Sequence, residues 1–158
     1  MQRRYIWISE IVWWLASFLL AVAIIWPYYP ALIVDVPFLI PNIILVVIAV
    51  QGIRLTFLLP QSIFGQSQWL IFPLTFTFIP VCMYAIKQYS IMNQFFTTSA
   101  SWMHSFSYLL TLTEKSEIAA YIRTEFTWCA VAAFMAGISV SGRMILASWR
   151  ILGKKERI

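Results

Sequence analysis

Long apolar runs, broken by short polar stretches, set the pattern of this chain. A helical membrane span needs roughly 20 apolar residues, and four runs reach that length, at about 5–26, 37–59, 68–90 and 126–149. The first ends in Pro27-Tyr28-Tyr29-Pro30. The second carries Pro37 and Pro41 in its first turn, where a missing N–H costs least, and Pro60 follows its end. The third contains Pro73 and Pro80, seven residues apart and on nearly the same side. Each removes a backbone hydrogen bond and should bend the helix. In a bilayer such breaks are tolerated where neighbouring helices satisfy the freed carbonyls. Gly65-Gln66-Ser67-Gln68 reads as the polar turn between the second and third runs.

The stretch 91–125 has a different character. It holds Asn93, Gln94, Thr97, Thr98, Ser99, Ser101, His104 and most of the mid-chain charges. Trp102, Phe106, Leu109 and Leu110 recur at helical spacing, which predicts an amphipathic helical segment lying against the membrane surface. Thr113 is the expected N-cap of a new helix opening at Glu114 and running on into the fourth span. The expected fold is therefore an all-α membrane protein of one domain, residues 1–158, with four transmembrane helices.

Composition agrees. Hydrophobic residues make up 61% and charged residues 11% of 158, against roughly 45–50% and about 25% in soluble domains. So few charges cannot cover a water-facing surface. Aromatics reach 17%, with eight Trp, and Trp and Tyr favour membrane interfaces. Arg3 and Arg4 before an apolar run, with Ala21-Val22-Ala23 after it, imitate a signal peptide. Glu10 and the Trp13-Trp14 pair inside that run favour a retained signal-anchor helix.

The net charge of +5 is concentrated at the two ends, beside apolar runs. That placement is a topology signal and a contact for anionic lipid, not a nucleic-acid footprint. With the N-terminus inside, the cytoplasmic side holds Arg3, Arg4, Arg54, Arg143, Arg150, Lys154, Lys155 and Arg157 against Glu10 and Glu156. The outer side holds Lys87, Lys115 and Arg123 against Asp35, Glu114, Glu117 and Glu125. Eight basic residues against two acidic ones, opposed to three against four, predict both termini inside. The segment 91–125 then lies on the outer face, and the chain is expected in a cytoplasmic (inner) membrane.

Three constellations are candidates for chemistry. Glu10, Arg54 and Arg143 fall at one depth in three spans, in the cytoplasmic third, with Gln51 one turn from Arg54 and Ser139 one turn from Arg143. Charges at the bilayer centre cost roughly 2.5–3.5 kcal/mol on insertion scales, so these side chains should face inward. They form either an ion or proton path, an anionic head-group site, or an ion pair with a snorkelling second arginine. Cys129, Ala133, Gly137 and Ser141 repeat every four residues along span four, beside a second stripe of Ala132, Ala136, Ser139, Arg143 and Ala147. Small residues let helices approach closely in lipid, and packing within the chain is the first expectation. At the outer face Asp35, Lys87, Arg123 and Glu125 are placed to form ion pairs that orient the loop, each contributing about 0–1 kcal/mol.

No enzyme signature stands out. The chain has one histidine, His104, no C-x-x-C, and no Walker A, G-x-G-x-x-G or H-E-x-x-H motif. Cys82 and Cys129 lie in apolar runs at similar depth and read as two buried hydrophobes, with a disulfide as the alternative. No cofactor is expected. The leading functional expectation is a small non-catalytic membrane subunit of a larger complex, acting in assembly through helix packing and lipid contact. Its partners would be membrane lipids, anionic on the cytoplasmic side, and other membrane subunits or copies of itself. The alternative is a homo-oligomeric channel or transporter using Glu10, Arg54 and Arg143.

Overall fold

A computed structural model of the chain describes residues 2–32, 38–59, 62, 64, 68–97 and 100–155. The fold is helical, and among the described residues the one β feature is an isolated bridge between Leu32 and Phe106. The helices are α1 (Gln2–Ile25), α2 (Leu39–Leu58), α3 (Gln68–Thr75), α4 (Phe78–Thr97) and α5 (Leu112–Lys155), with 3-10 turns at Tyr29–Ala31 and Ala100–Ser105. Four stretches are long and apolar enough to cross a membrane: Tyr5–Ile25, Leu39–Leu58, Leu70–Thr97 and Leu112–Arg150. The chain is accordingly a multi-pass membrane protein by the length and apolarity of its helices.

The third span is α3 and α4 joined through a break at Phe76 and Thr77. Pro80 has no N–H to offer the Phe76 carbonyl, which instead accepts from the Ile79 amide at 3.2 Å. The amides of Phe76 and Thr77 likewise reach back three residues, to Pro73 and Leu74. Thr75 and Thr77 donate their hydroxyls to the carbonyls of Ile71 and Leu74. The bend thus lies between the two prolines, and side-chain hydroxyls help satisfy its carbonyls.

Between α4 and α5 the chain differs from the amphipathic helix expected over 91–125. Residues up to Thr97 extend α4, Ala100–Ser105 is a 3-10 turn, and α5 already starts at Leu112. Trp102 and Phe106 turn inward. They join an aromatic cluster with Phe96, and Phe96 in turn contacts Phe38 and Phe95. Phe38 also meets Phe126 edge-on at 6.3 Å. Tyr108 and Leu109 are exposed. The helix cap is Thr111, not Thr113: its hydroxyl accepts from the Glu114 amide at 3.3 Å, and the Glu114 carboxylate accepts from the Thr111 amide at 2.8 Å. This reciprocal pair is a capping box.

At 1.5 Å per residue the 44-residue α5 is about 66 Å long, twice the roughly 30 Å of bilayer hydrocarbon. It is also the hub of the packing, against α2, α4 and α3, while α1 packs chiefly on α2. The result is a row of helices rather than a closed ring. One core runs between α2 and α5 through Leu45, Ala49, Ile122, Phe126, Ala130 and Ala133. A smaller one, of Leu59, Ile71, Val140 and Met144, closes the other end.

Candidate functional site

Two buried polar layers tie the helices together. The first lies between α1 and α2. Glu10, Trp13 and Ser17 share one face of α1 by their spacing of three and four residues, and Gln51 and Arg54 share one face of α2. Arg54 Nη1 donates to Glu10 Oε2 at 2.7 Å, with the two side chains only 3% and 6% exposed. Arg54 Nη1 also donates to Gln51 Oε1 at 3.2 Å. Gln51 Nε2 donates to Ser17 Oγ at 2.9 Å, and Ser17 Oγ donates to the Trp13 carbonyl at 2.6 Å. The Arg54 guanidinium carbon sits 5.8 Å from the centre of the Trp13 ring, within reach of a cation–π attraction. The bonds run in sequence from Glu10 to Trp13, and the charges of Glu10 and Arg54 cancel in place.

Arg143 does not join this layer. It is half-buried, and among the described residues it makes no ion pair or hydrogen bond. Ser139, one turn away, is exposed. The small-residue face of α5 is used inside the chain. Ala133, Gly137 and Ser141 are buried and Cys129 is half-buried. A Cβ built on Gly137 would lie 3.1 Å from Val81 Cγ1 of α4, and one on Gly52 of α2 would lie 2.6 Å from Ala136 Cβ.

The second layer lies at the far end of the core and was not assembled from the sequence. Asn42 Nδ2 donates to the Tyr28 hydroxyl at 2.9 Å and to Glu125 Oε2 at 2.6 Å. Cys129 Sγ donates to Glu125 Oε1 at 3.1 Å, and the Tyr28 hydroxyl lies near enough to feel the same carboxyl. Asn42 is fully buried. Burial and the Glu125 charge push the Tyr28 phenol above its ordinary range, so it stays a neutral donor. A carboxyl group is thus held by an amide and a thiol, with a phenol bonded to the same amide, and among the described residues no cation pairs with it. Such a group can take up a proton or rest as a satisfied structural polar node. Asn42 is a polar side chain near the start of an apolar run and Tyr28 sits between Pro27 and Pro30, but neither local feature names its partners.

The outer ion pairs expected from depth do not form among the described residues. Residues 123 and 125 are two apart on α5, about 200° around the helix. Glu125 therefore faces the core while Arg123 is exposed, as is Lys87. Asp35 lies outside the described residues. Cys82 and Cys129 are free thiols. Among the described residues no three potential metal ligands converge.

The layer around Glu125 makes a graded prediction. Glu125→Gln keeps the shape and one acceptor oxygen for Asn42, and its new amide N–H can donate to the Cys129 sulfur, so it should change stability by less than about 1 kcal/mol. Glu125→Leu strands the Asn42 amide and the Cys129 thiol in the core and should cost about 1–3 kcal/mol. Thermal unfolding in detergent, followed by circular dichroism, separates the two. Equal effects would show that the carboxyl has no role in satisfying its neighbours.

Compared with family models, curated proteins and solved structures, the chain matches none of them.

Proposed function

We propose that this chain is a non-catalytic multi-pass subunit of a larger membrane assembly, docking on its neighbour through α1. The reading places it in a cytoplasmic (inner) membrane with both termini inside and the segment between α4 and α5 outside. The observation that carries it is a stripe on α1. Trp7, Ile11, Trp14 and Phe18 follow one another at four, three and four residues, and all four are exposed. That spacing lays them along one helix face. Trp14 sits near the middle of the Tyr5–Ile25 span and is 50% exposed. Tryptophan ordinarily sits at the membrane interface, so a bulky ring held at mid-span is better explained by a helix packed against it than by lipid tails.

Other features support the same reading. The small-residue face of α5 is engaged within the chain, Ala136 against α2 and Gly137 against α4. Glu10 and Arg54 neutralise each other and Arg143 stands apart, which supports a structural role for these charges over a path for ions. The basic residues at both chain ends favour the N-in, C-in orientation.

The test is chromatography of the tagged chain in mild detergent with mass spectrometry of the peak. The expected result is co-elution with specific membrane proteins in the wild type and their loss in the Trp7→Ala/Trp14→Ala variant. A stable monomer without companions, or companions retained by the variant, would overturn the assignment. A fluorescent protein fused at the C-terminus checks the orientation separately: it should fluoresce, as it folds in the cytoplasm.

A further inference from the structure

A second surface, away from α1, carries its own chemistry. Between α4 and α5 runs a cleft in two parts. One part, about 330 Å³, is lined by Ala85, Ile86, Ala130, Val131 and Phe134. The other part, about 440 Å³, is lined by Asn93, Arg123, Thr124 and Trp128 among others. Tyr89 and Thr127 line both, so the two parts adjoin. The cleft therefore has an apolar tail and a polar head, with a single cation at the head.

That cation is available. Arg123 is exposed and among the described residues has no ion pair. Glu125, the acid nearest in sequence, faces the opposite side and is bonded to Asn42 and Cys129. Among the residues lining the cleft there is no carboxylate. Its length is also informative. Arg123 and Phe134 are eleven residues apart on α5, about 16 Å at 1.5 Å per residue. One leaflet of hydrocarbon, half of roughly 30 Å, is about 15 Å deep. Trp128 and Tyr89 fall between head and tail, where interfacial aromatics belong.

We propose that this cleft holds one anionic phospholipid of the surrounding bilayer, its phosphate on Arg123 with Asn93 and Thr124 beside it, and an acyl chain along Ala85, Ala130 and Phe134. The proposal needs the helices to lie in a bilayer. It does not need the assembly reading, so each can fail alone.

Native mass spectrometry of the purified full chain, titrated with phosphatidylglycerol or phosphatidylcholine of identical chains, tests it. One arginine near the surface is worth about fivefold in affinity for an anionic lipid. Phosphatidylglycerol should therefore outcompete phosphatidylcholine by about that factor in the wild type. Arg123→Gln, a change at an exposed side chain, should abolish the preference, and Lys87→Gln, outside the cleft, should keep it. Val131→Trp, which fills the apolar part from its open side, should weaken both lipids together. Equal binding of the two lipids by the wild type, or an unchanged preference in Arg123→Gln, would overturn the proposal.

Discussion

Arg54→Met is expected to destabilise the chain by about 3–5 kcal/mol, the usual cost of leaving one member of a buried ion pair without its partner. The Glu10 carboxylate would remain at a position where its side chain is 6% exposed. Glu10→Leu strands the guanidinium instead and should cost a similar amount. The informative variant is the double one. A buried pair replaced by apolar groups is often neutral or stabilising, because neither charge then has to leave water. Glu10→Leu/Arg54→Met should accordingly recover most of what either single change loses. The coupling energy, read from reversible unfolding in mixed detergent with helix content as the signal, should be of the order of the single effects. Two mild single variants with additive effects would mean that water reaches the pair. Since α1 packs chiefly on α2, the loss should appear first as release of α1, seen as labelling of a cysteine placed on its α2-facing side.

Depth along the chain was legible; direction around each helix was much less so. The apolar windows located all four spans, and Pro73 and Pro80 bracketed the break that the structure puts at Phe76 and Thr77. Counting residues from the span ends also put Glu10 and Arg54 at one level, and they meet. The same count put Arg143 there, and it does not meet them, because equal depth says nothing about which side of α5 faces α1. Arg123 and Glu125 carry the same lesson within one helix. Their 200° separation was available from the sequence, and it assigns one to the cleft and the other to the core. The Thr111 cap was available too, since Thr111 precedes Glu114 by the three residues a capping box requires and Thr113 does not. The layer of Tyr28, Asn42, Glu125 and Cys129 was harder. It joins the turn after α1, the start of α2 and the middle of α5, and those contacts are set by how the helices pack, which no local pattern encodes.

The α2–α5 crossing gives the second large prediction. A methyl added at Gly52 would stand 2.6 Å from the Ala136 Cβ and 3.4 Å from the Ala136 backbone, whereas carbon atoms rest at about 3.5–4.0 Å. Neither methyl can rotate away, so the helices themselves must separate by about 1 Å. In lipid the attraction between helices is largely van der Waals packing, and the gap would open along the main core. Gly52→Ala should therefore cost about 1–3 kcal/mol, despite the gain of about 1 kcal/mol that alanine brings to a helix interior. Gly52→Leu should cost more and separate α2 from α5. Two controls distinguish close approach from a general glycine effect. Gly142→Ala adds its Cβ where nothing lies within 4 Å, so it should be neutral or stabilising by up to about 1 kcal/mol. Ala136→Gly added to Gly52→Ala removes the opposing methyl and should restore most of the lost stability, measured by the same detergent unfolding. If Gly52→Ala proved as harmless as Gly142→Ala, α2 and α5 would not cross at Gly52 and Ala136.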